Sequence, residues 1–532
     1  MADARRTFGS RFRRPLIGGA AALLSLCVSL TTFQTGAHAE TTLRARLNAD
    51  ILSTEPGDRR DENTDGVLLH VVEGLVASRE DGAVGPMLAQ SWTVSPDGST
   101  YTFTLRSGVT FHNGAPLTSA EVVWSLERYF RQDSRWRCKL DFSGQGIGNL
   151  VSMTAPGPAT VVIALDRAAP LLLKILARSD CTGTGIMHPD SVGPDGAFKH
   201  PIGTGPFKLG EWRRNQFVDL IRFDKYAPLP GPADGNAGGK APLVDRVRFL
   251  VIPDGSAAVA ALLRGSLDVL DNLSPTELGS VRDKTGVRLD IAPTMDFYCL
   301  LFQTNDPVTG DERLRRAIAL TIDTAGLTNA ITWGTSKPNN SPVPATSPFF
   351  GSVQSELRKP DIAEAKRLIK ESGYDGRPIK IITNRRYPQN FDAAVLVQAM
   401  ARPAGINLEI DTLDWASQLA RYGSGNYQVM AHTFSARMDP SLLFNVLIGD
   451  KTRDPRKVWS TEDARAMLQQ SMATDDPVAR QAAFDALHRA FLEYTPAVVL
   501  FNTSRIAAVH DNVKGYRGWA GAQPRLWGVS IN

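Results

Sequence analysis

The 532-residue chain carries 59 Lys+Arg against 55 Asp+Glu, a formal net charge of +4, and it is too long for one core, so two or three lobes are expected. Its first 39 residues hold Arg5, Arg6, Arg11, Arg13 and Arg14 against Asp3, an excess as large as that of the whole chain, so residues 40–532 are formally neutral. That balance excludes an electrostatic case for nucleic acid or for an anionic membrane surface as partner.

In chain order, the arginines are followed by an apolar run from Ile17 to Val28 and by an A-x-A signal at Ala37–Ala39. This is the three-part layout of a secretory leader, with cleavage after Ala39, and the apolar run is too short to span a bilayer. Arg5-Arg6 fits a twin-arginine signal loosely, so the export route stays open. Past the leader remain Cys138, Cys181 and Cys299. An oxidising compartment permits a disulfide, for which Cys138–Cys181 is the expected pair, and three free thiols is the alternative. Cys299 lies in the apolar run Phe297–Phe302 and reads as a buried thiol.

The segment from Trp92 to Glu127 has the clearest local signals. Thr100–Leu105 (TYTFTL) alternates polar and apolar residues as a half-buried strand does, and Ser107-Gly108 followed by Val109–Phe111 and the Asn113-Gly114 turn predicts a hairpin. Thr118–Glu121 (TSAE) is a capping box, continued at helical spacing by Val122, Val123, Leu126 and Phe130. Later, Ser256–Leu263 reads as a helix stopped by Gly265, Leu267–Leu270 as a strand, and Asp311–Ile322 as a helix. Further helices open at Pro360-Asp361, stopping at Gly373, and at Asp476-Pro477, with strands over Ile379–Ile382, Asn407–Asp411 and Ala497–Phe501 between. Pro228–Pro242, rich in Gly and Pro, reads as an exposed loop. The class is mixed α/β, without repeats.

The motifs of catalysis and metal binding are missing. No H-E-x-x-H, zinc-finger spacing or G-x-S-x-G occurs. Gly144–Gly148 reads as a loop rather than a dinucleotide fingerprint. Gly235–Lys240 is one residue short of a phosphate loop, and Ala241 replaces its Ser/Thr. His70 and Glu73 read as a surface pair on one helix face.

Leu88–Trp92 (LAQSW), Ser95–Phe103 (SPDGSTYTF), Leu105–Val109 (LRSGV) and Phe111–Gly114 (FHNG), followed by Pro116–Thr118 and Val122-Val123, resemble the signature region of family 5 solute-binding proteins. These are the dipeptide-, oligopeptide- and nickel-binding proteins of ABC importers. Pro201–Phe207 (PIGTGPF), Gly265–Asp268 (GSLD) and Arg313–Asp323 (RLRRAIALTID) resemble later family segments in the right order, so the likeness covers nearly all of the chain after the leader.

The resemblance implies a periplasmic binding protein type II-like α/β fold with two lobes, a hinge and an extra inserted domain. After the signal peptide at 1–39 it implies domain I over 40–86, 201–293 and 505–532, the inserted domain II over 87–200, and the closing domain III over 294–504. The hinge crossings fall near Thr294–Thr304 and Val499–Arg505. It implies a periplasmic monomer that captures a peptide-like or anionic small solute and delivers it to permease subunits, with no catalysis, cofactor or metal. The competing readings are a secreted hydrolase, and a periplasmic sensor or chaperone on the same scaffold.

By the same resemblance, Arg385 in Asn384–Pro388 (NRRYP) matches the arginine that holds the ligand carboxylate. His432–Pro440 (HTFSARMDP) matches a segment whose Asp-Pro is kept as Asp439-Pro440, while Ala436 or Arg437 stands where the amine-binding aspartate is expected. A buried ammonium then lacks its counter-charge, which points to an anionic ligand or one without a free amino group. Either Arg437 faces the cleft, or it turns outward or pairs with a protein carboxylate. Tyr387, Trp415 and Phe434 either line a stacking wall or belong to the core. Asn63 and Thr64 match the first-lobe loop by position, and His432 is the one candidate for a nickel role.

Overall fold

Alternation in Thr100–Leu105 buries Tyr101, Phe103 and Leu105 and leaves the threonines half-covered. The structure is a computed structural model that describes residues 40–143 and 146–532. The leader expected over 1–39, its cleavage site, and Gly144 and Gln145 of the glycine-containing loop lie outside the described residues. The strand Thr100–Leu105 is central in a four-stranded antiparallel sheet, between Ala89–Val94 and Thr160–Leu165, with Leu150–Gly157 at the far edge. The hairpin therefore differs from the expected one. Its turn is Ser95–Gly98, closed by the Gly98 N–H to the Ser95 carbonyl at 2.8 Å with Gly98 at φ +72°. Both edges of Thr100–Leu105 are taken by longer strands, leaving Val109–Phe111 only a bridge from Thr110 to Pro116 around Asn113-Gly114. The capping box forms as expected. Thr118 N–H donates to Glu121 at 2.9 Å, and the helix Ser119–Phe130 buries Val122 and Leu126 against the sheet.

The second sheet has ten strands and organises the rest of Thr41–Asn532, which forms one unit. Its order is Leu408–Leu413, Ile379–Asn384, Val429–Phe434, Val287–Phe302, Ala497–His510, Val269–Leu270, Thr42–Leu47, Arg246–Val251, Phe217–Arg222 and Phe207–Arg213. Two long antiparallel strands, Val287–Phe302 and Ala497–His510, join the two halves. Their register is continuous from Val287↔His510 to Pro293↔Ser504, breaks, and resumes at Phe297↔Asn502. The break projects Thr294–Asp296 out of the ladder, as a bulge does. One half of the sheet packs Leu43, Phe207 and Phe249 into a core, and the other packs Leu300, Ile318, Ile381 and Val397. The helices Glu312–Leu320, Ile362–Ser372 and Pro477–Tyr494 lie where expected. Asp311, Asp361 and Asp476 cap their first turns, and Gly373 ends the second at φ +70°. The strand expected over Leu267–Leu270 shortens to Val269–Leu270.

Two readings are corrected here. His70 and Glu73 are core groups, not a surface pair. The His70 ring accepts the Leu526 N–H at 3.0 Å, and Glu73 receives Thr204, Tyr226 and Lys240 at 3.0, 2.9 and 3.2 Å. The Pro228–Pro242 segment is exposed only in its first half. Ala233-Asp234 pairs with Ala237-Gly238, and Asn236, Ala237 and Lys240 are buried. The lysine of the would-be phosphate loop is consumed by Glu73, because a buried ammonium requires a counter-charge.

Burial keeps four imidazoles neutral. The pKa falls to about 3 for His70 and His432 and to about 4 for His112 and His488. These folded values lie below the unfolded one, so the stabilisation is complete above about pH 6.5 and is lost as pH falls through that window. Each imidazole costs about 2 kcal/mol at pH 5 by that linkage. Burial acts oppositely on Asp65 and Asp296, raising them to about 6 and about 7, so they favour the folded state on acidification. The expected net loss between pH 7 and pH 5 is about 4 kcal/mol, read as a fall in urea midpoint; a constant midpoint contradicts it.

Candidate ligand-binding cleft

Two adjoining cavities, of about 260 and about 440 Å³, meet at the register break and share Glu62, Asp296, Tyr387, Thr433 and Ala522. Local structure aims the lining residues. Asp61 caps the helix Glu62–Leu68 by accepting the Thr64 N–H at 2.9 Å, which sets Asp61 and Glu62 at the cleft. Pro388 starts the helix Pro388–Ala401 and leaves Tyr387 at its cap, while Asp414 caps Trp415–Ser424 and leaves Trp415 at its first position. His432 and Phe434 share one face of the strand Val429–Phe434.

The result is a continuous aromatic wall on the smaller cavity. Tyr387 meets Trp415 edge-on at 5.0 Å, and Trp415 lies parallel to His432 at 6.1 Å. Tyr422 stacks on His432 at 4.8 Å, and Phe434 meets His432 edge-on at 4.8 Å. The His432 ring is held neutral by burial and by the nearby Arg137 and Arg437. Its Nδ1 and the Trp415 Nε1 are buried without hydrogen-bond partners. No group of three potential metal ligands occurs among the described residues.

Charge on the cleft wall is nearly balanced by internal pairs. Arg386 crosses the cleft to Asp61 at 2.7 Å, Arg456 binds Asp454 at 2.7 and 2.8 Å, and Arg60 pairs with Asp65. Arg437 pairs with Asp180 at 3.0 Å, and the same Asp180 receives Arg178 through two bonds of 2.9 and 2.8 Å. Burial alone would raise Asp180, but Arg178 and Arg437 hold it well below the usual carboxylate range. Burial, only partly offset by Asp180, draws Arg437 down to about 9. Of the guanidinium groups lining the smaller cavity, Arg137 alone has neither an ion pair nor a hydrogen bond to a described residue. Of its carboxyl groups, Asp61 pairs with Arg386 and Glu62 with Arg505, while Asp296 is met, among the described residues, by threonine hydroxyls and no ion pair.

The turn that carries Arg137 is tied covalently. It opens the short turn Arg137–Asp141, and Cys138 is bonded to Cys181 in the turn Ser179–Thr184, with Cα atoms 6.1 Å apart. The expected pairing is thus present, and Cys299 is a buried free thiol.

The residues singled out from sequence separate into groups. Tyr387, Trp415, His432, Phe434 and Arg437 are brought together on one cavity. Arg385 lies on the larger cavity but is exposed, its guanidinium 4.0 Å from the Phe391 ring, and the neighbouring Arg386 is the one that crosses the cleft. Asp439 lines neither cleft cavity. It caps Pro440–Leu447 and pairs with Lys174 at 2.9 Å and Arg480 at 2.6 Å, a buried structural knot. Asn63 and Thr64 also line neither cavity. Asn63 donates to Asn48 and Ala49, and Thr64 orients Asp61. Of the two readings of Arg437, pairing with a protein carboxylate holds, and the side chain also borders the cavity. Sequence reasoning did not single out Arg137, Asp296 or Tyr422, which also line this cavity.

The family model described as "Bacterial extracellular solute-binding proteins, family 5 Middle" matches residues 83–454. The chain belongs to this family. It is 25% identical over 459 residues to the dipeptide-binding protein of Escherichia coli, covering 81% of this chain and 83% of that one. The fold superposes on AgaA of A. tumefaciens R10 bound to agropinic acid with TM-score 0.81 at 24% identity, over 92% and 99% of the two chains. It superposes on DppA of Helicobacter pylori bound to the peptide STSA with TM-score 0.82 at 22% identity, over 92% and 98%. This family 5 protein is a substrate-binding component of an ABC import system, and the relatives it matches are binding proteins rather than enzymes. No helix among the described residues is long and apolar enough to cross a membrane.

Proposed function

We propose that this solute-binding protein captures a small organic acid, carrying its carboxylate on Arg137 and its apolar or planar part on the wall of Tyr387, Trp415 and His432. The observation that carries the reading is the guanidinium of Arg137, which has no ion pair to a described residue, in a cavity whose other arginines are paired. An uncompensated cation in a half-enclosed site attracts an anion, and a guanidinium fork suits a carboxylate. Solved relatives bound to agropinic acid and to a peptide show what this scaffold accommodates elsewhere. Contacts from both sides of the cleft stabilise the closed form, and bending at the register break near Thr294–Asp296 supplies the motion. The division into domain I (40–86, 201–293, 505–532), domain II (87–200) and domain III (294–504), periplasmic export with cleavage after Ala39, and recognition of the closed form by permease subunits belong to this reading.

Tryptophan fluorescence titration tests it with glycyl-phenylalanine and its C-terminal amide. Amidation is expected to weaken binding roughly 10–100-fold, the range for a charge-assisted hydrogen bond. Arg137→Ala should weaken the free acid by the same factor, and Arg385→Ala by less than threefold, about the scatter of an exposed pair. Equal affinity for acid and amide, or indifference to Arg137→Ala, refutes the assignment.

A further inference from the structure

We propose that Asp296 is a ligand-binding residue that receives a protonated nitrogen, so that the captured acid is also an amine. The inference rests on the organic-acid reading and completes it, because it places a second charged anchor on the cavity that Arg137 lines.

The argument starts from the register break. Asp296 leaves the ladder between Pro293 and Phe297 and borders both cavities, at their junction. Hydroxyls of Thr294 and Thr503 both donate to its Oδ1, the latter at 2.7 Å. Its Oδ2 has no hydrogen bond to a described residue and is accessible, on a side chain that lines both cavities. Among the described residues the group forms no ion pair, and the cation whose charge reaches it is that of Arg505. The charged and titratable neighbours are Glu62, Arg505, Tyr298 and Tyr387, and Arg505 is already engaged by Asp271 and Glu62. A carboxyl oriented through one oxygen, with the other facing a ligand space, is built to accept a donor.

This placement answers the puzzle at residues 436 and 437. The aspartate expected there is absent, and Arg437 is consumed by Asp180. The counter-charge for an ammonium comes instead from the cross-strand bulge, far away in sequence. The expected ligand, anionic or without a free amino group, is therefore replaced by one carrying both charges, in a cavity that also holds the aromatic wall. Because Asp296 sits where the two long strands change register, ammonium binding also pins the segment about which the halves would turn.

Burial raises Asp296 to about 7, so near neutral pH it is partly protonated in the empty cleft. An arriving ammonium lowers that value and expels a proton. Calorimetry of the full chain with glycyl-phenylalanine and its N-acetyl form reads both consequences. N-acetylation is expected to weaken binding roughly 10–100-fold. The heat for the free amine should vary with buffer ionisation enthalpy as a proton is released, and the dependence should vanish in Asp296→Asn. That variant should lose about the same factor for the free amine and leave the N-acetyl peptide unchanged. The wild-type comparison of the two peptides needs no variant and stands if Asp296→Asn fails to fold. Equal affinities of the two forms, no proton release, or no binding of glycyl-phenylalanine at millimolar concentration overturns the inference. The amide series reads Arg137 and the acetyl series reads Asp296, so failure of one anchor is separable from failure of the other.

Discussion

Asp180→Ala is expected to destabilise the protein by about 3–5 kcal/mol, the usual cost of breaking a buried ion pair from one side. Asp180 is fully buried and serves two guanidinium groups at once, Arg178 with two bonds and Arg437 with one. Removing it leaves Arg437 with one carbonyl contact, to Ser435 at 3.2 Å, and with Nε already unpartnered. Arg178 keeps Asp141 at 2.5 Å. The larger part of the loss therefore falls on Arg437, whose charge is already disfavoured by burial. Urea unfolding measures the effect, and the double variant Asp180→Ala, Arg437→Met should recover about half of it, because no uncompensated charge is then buried. A loss below about 1 kcal/mol, the value of an exposed pair, contradicts the network.

Reduction of Cys138–Cys181 should cost about 4 kcal/mol, from the loop-closure relation for a 43-residue separation. The second consequence is functional. Arg137 precedes one half-cystine and Asp180 precedes the other, so the bond ties the free guanidinium of the cleft to the turn that neutralises Arg437. Untying these turns lets Arg137 sample orientations away from the cavity, and affinity for a carboxylate probe should fall roughly threefold or more, since a positioned contact loses its preorganisation. Cys138→Ser with Cys181→Ser, compared with wild type under oxidising and reducing conditions, measures both. Cys299 does not complicate the comparison, because its burial raises the thiol far above its ordinary value and keeps it protonated. Unchanged unfolding midpoints between oxidised and reduced protein contradict a stabilising bond.

The share of the protein legible in its sequence follows from the range of the interactions involved. The Thr118 capping box, the Asp311, Asp361 and Asp476 caps and the Gly373 stop each involve atoms within about one helical turn, so residue order alone settles them. The family was legible too, because its motifs run in order through the chain. Tyr387, Trp415, His432 and Phe434 of the cleft were identifiable for the same reason, and Tyr422 was not.

Strand partnership and charge pairing are different. Whether Thr100–Leu105 pairs with Val109–Phe111 or with Ala89–Val94 and Thr160–Leu165 depends on which edges compete for it. Which arginine is free to meet a ligand depends on partners such as Asp61 for Arg386, 325 residues apart, or Asp180 for Arg437. Asp439 looked like a cleft residue until Lys174 and Arg480 were seen to enclose it. By itself, then, the sequence determined the family and the local elements. Only the tertiary structure decided that Arg137 and Asp296 line the cavity without an ion pair to a described residue. Neutralisation is a property of neighbours in space, and burial makes those neighbours decisive.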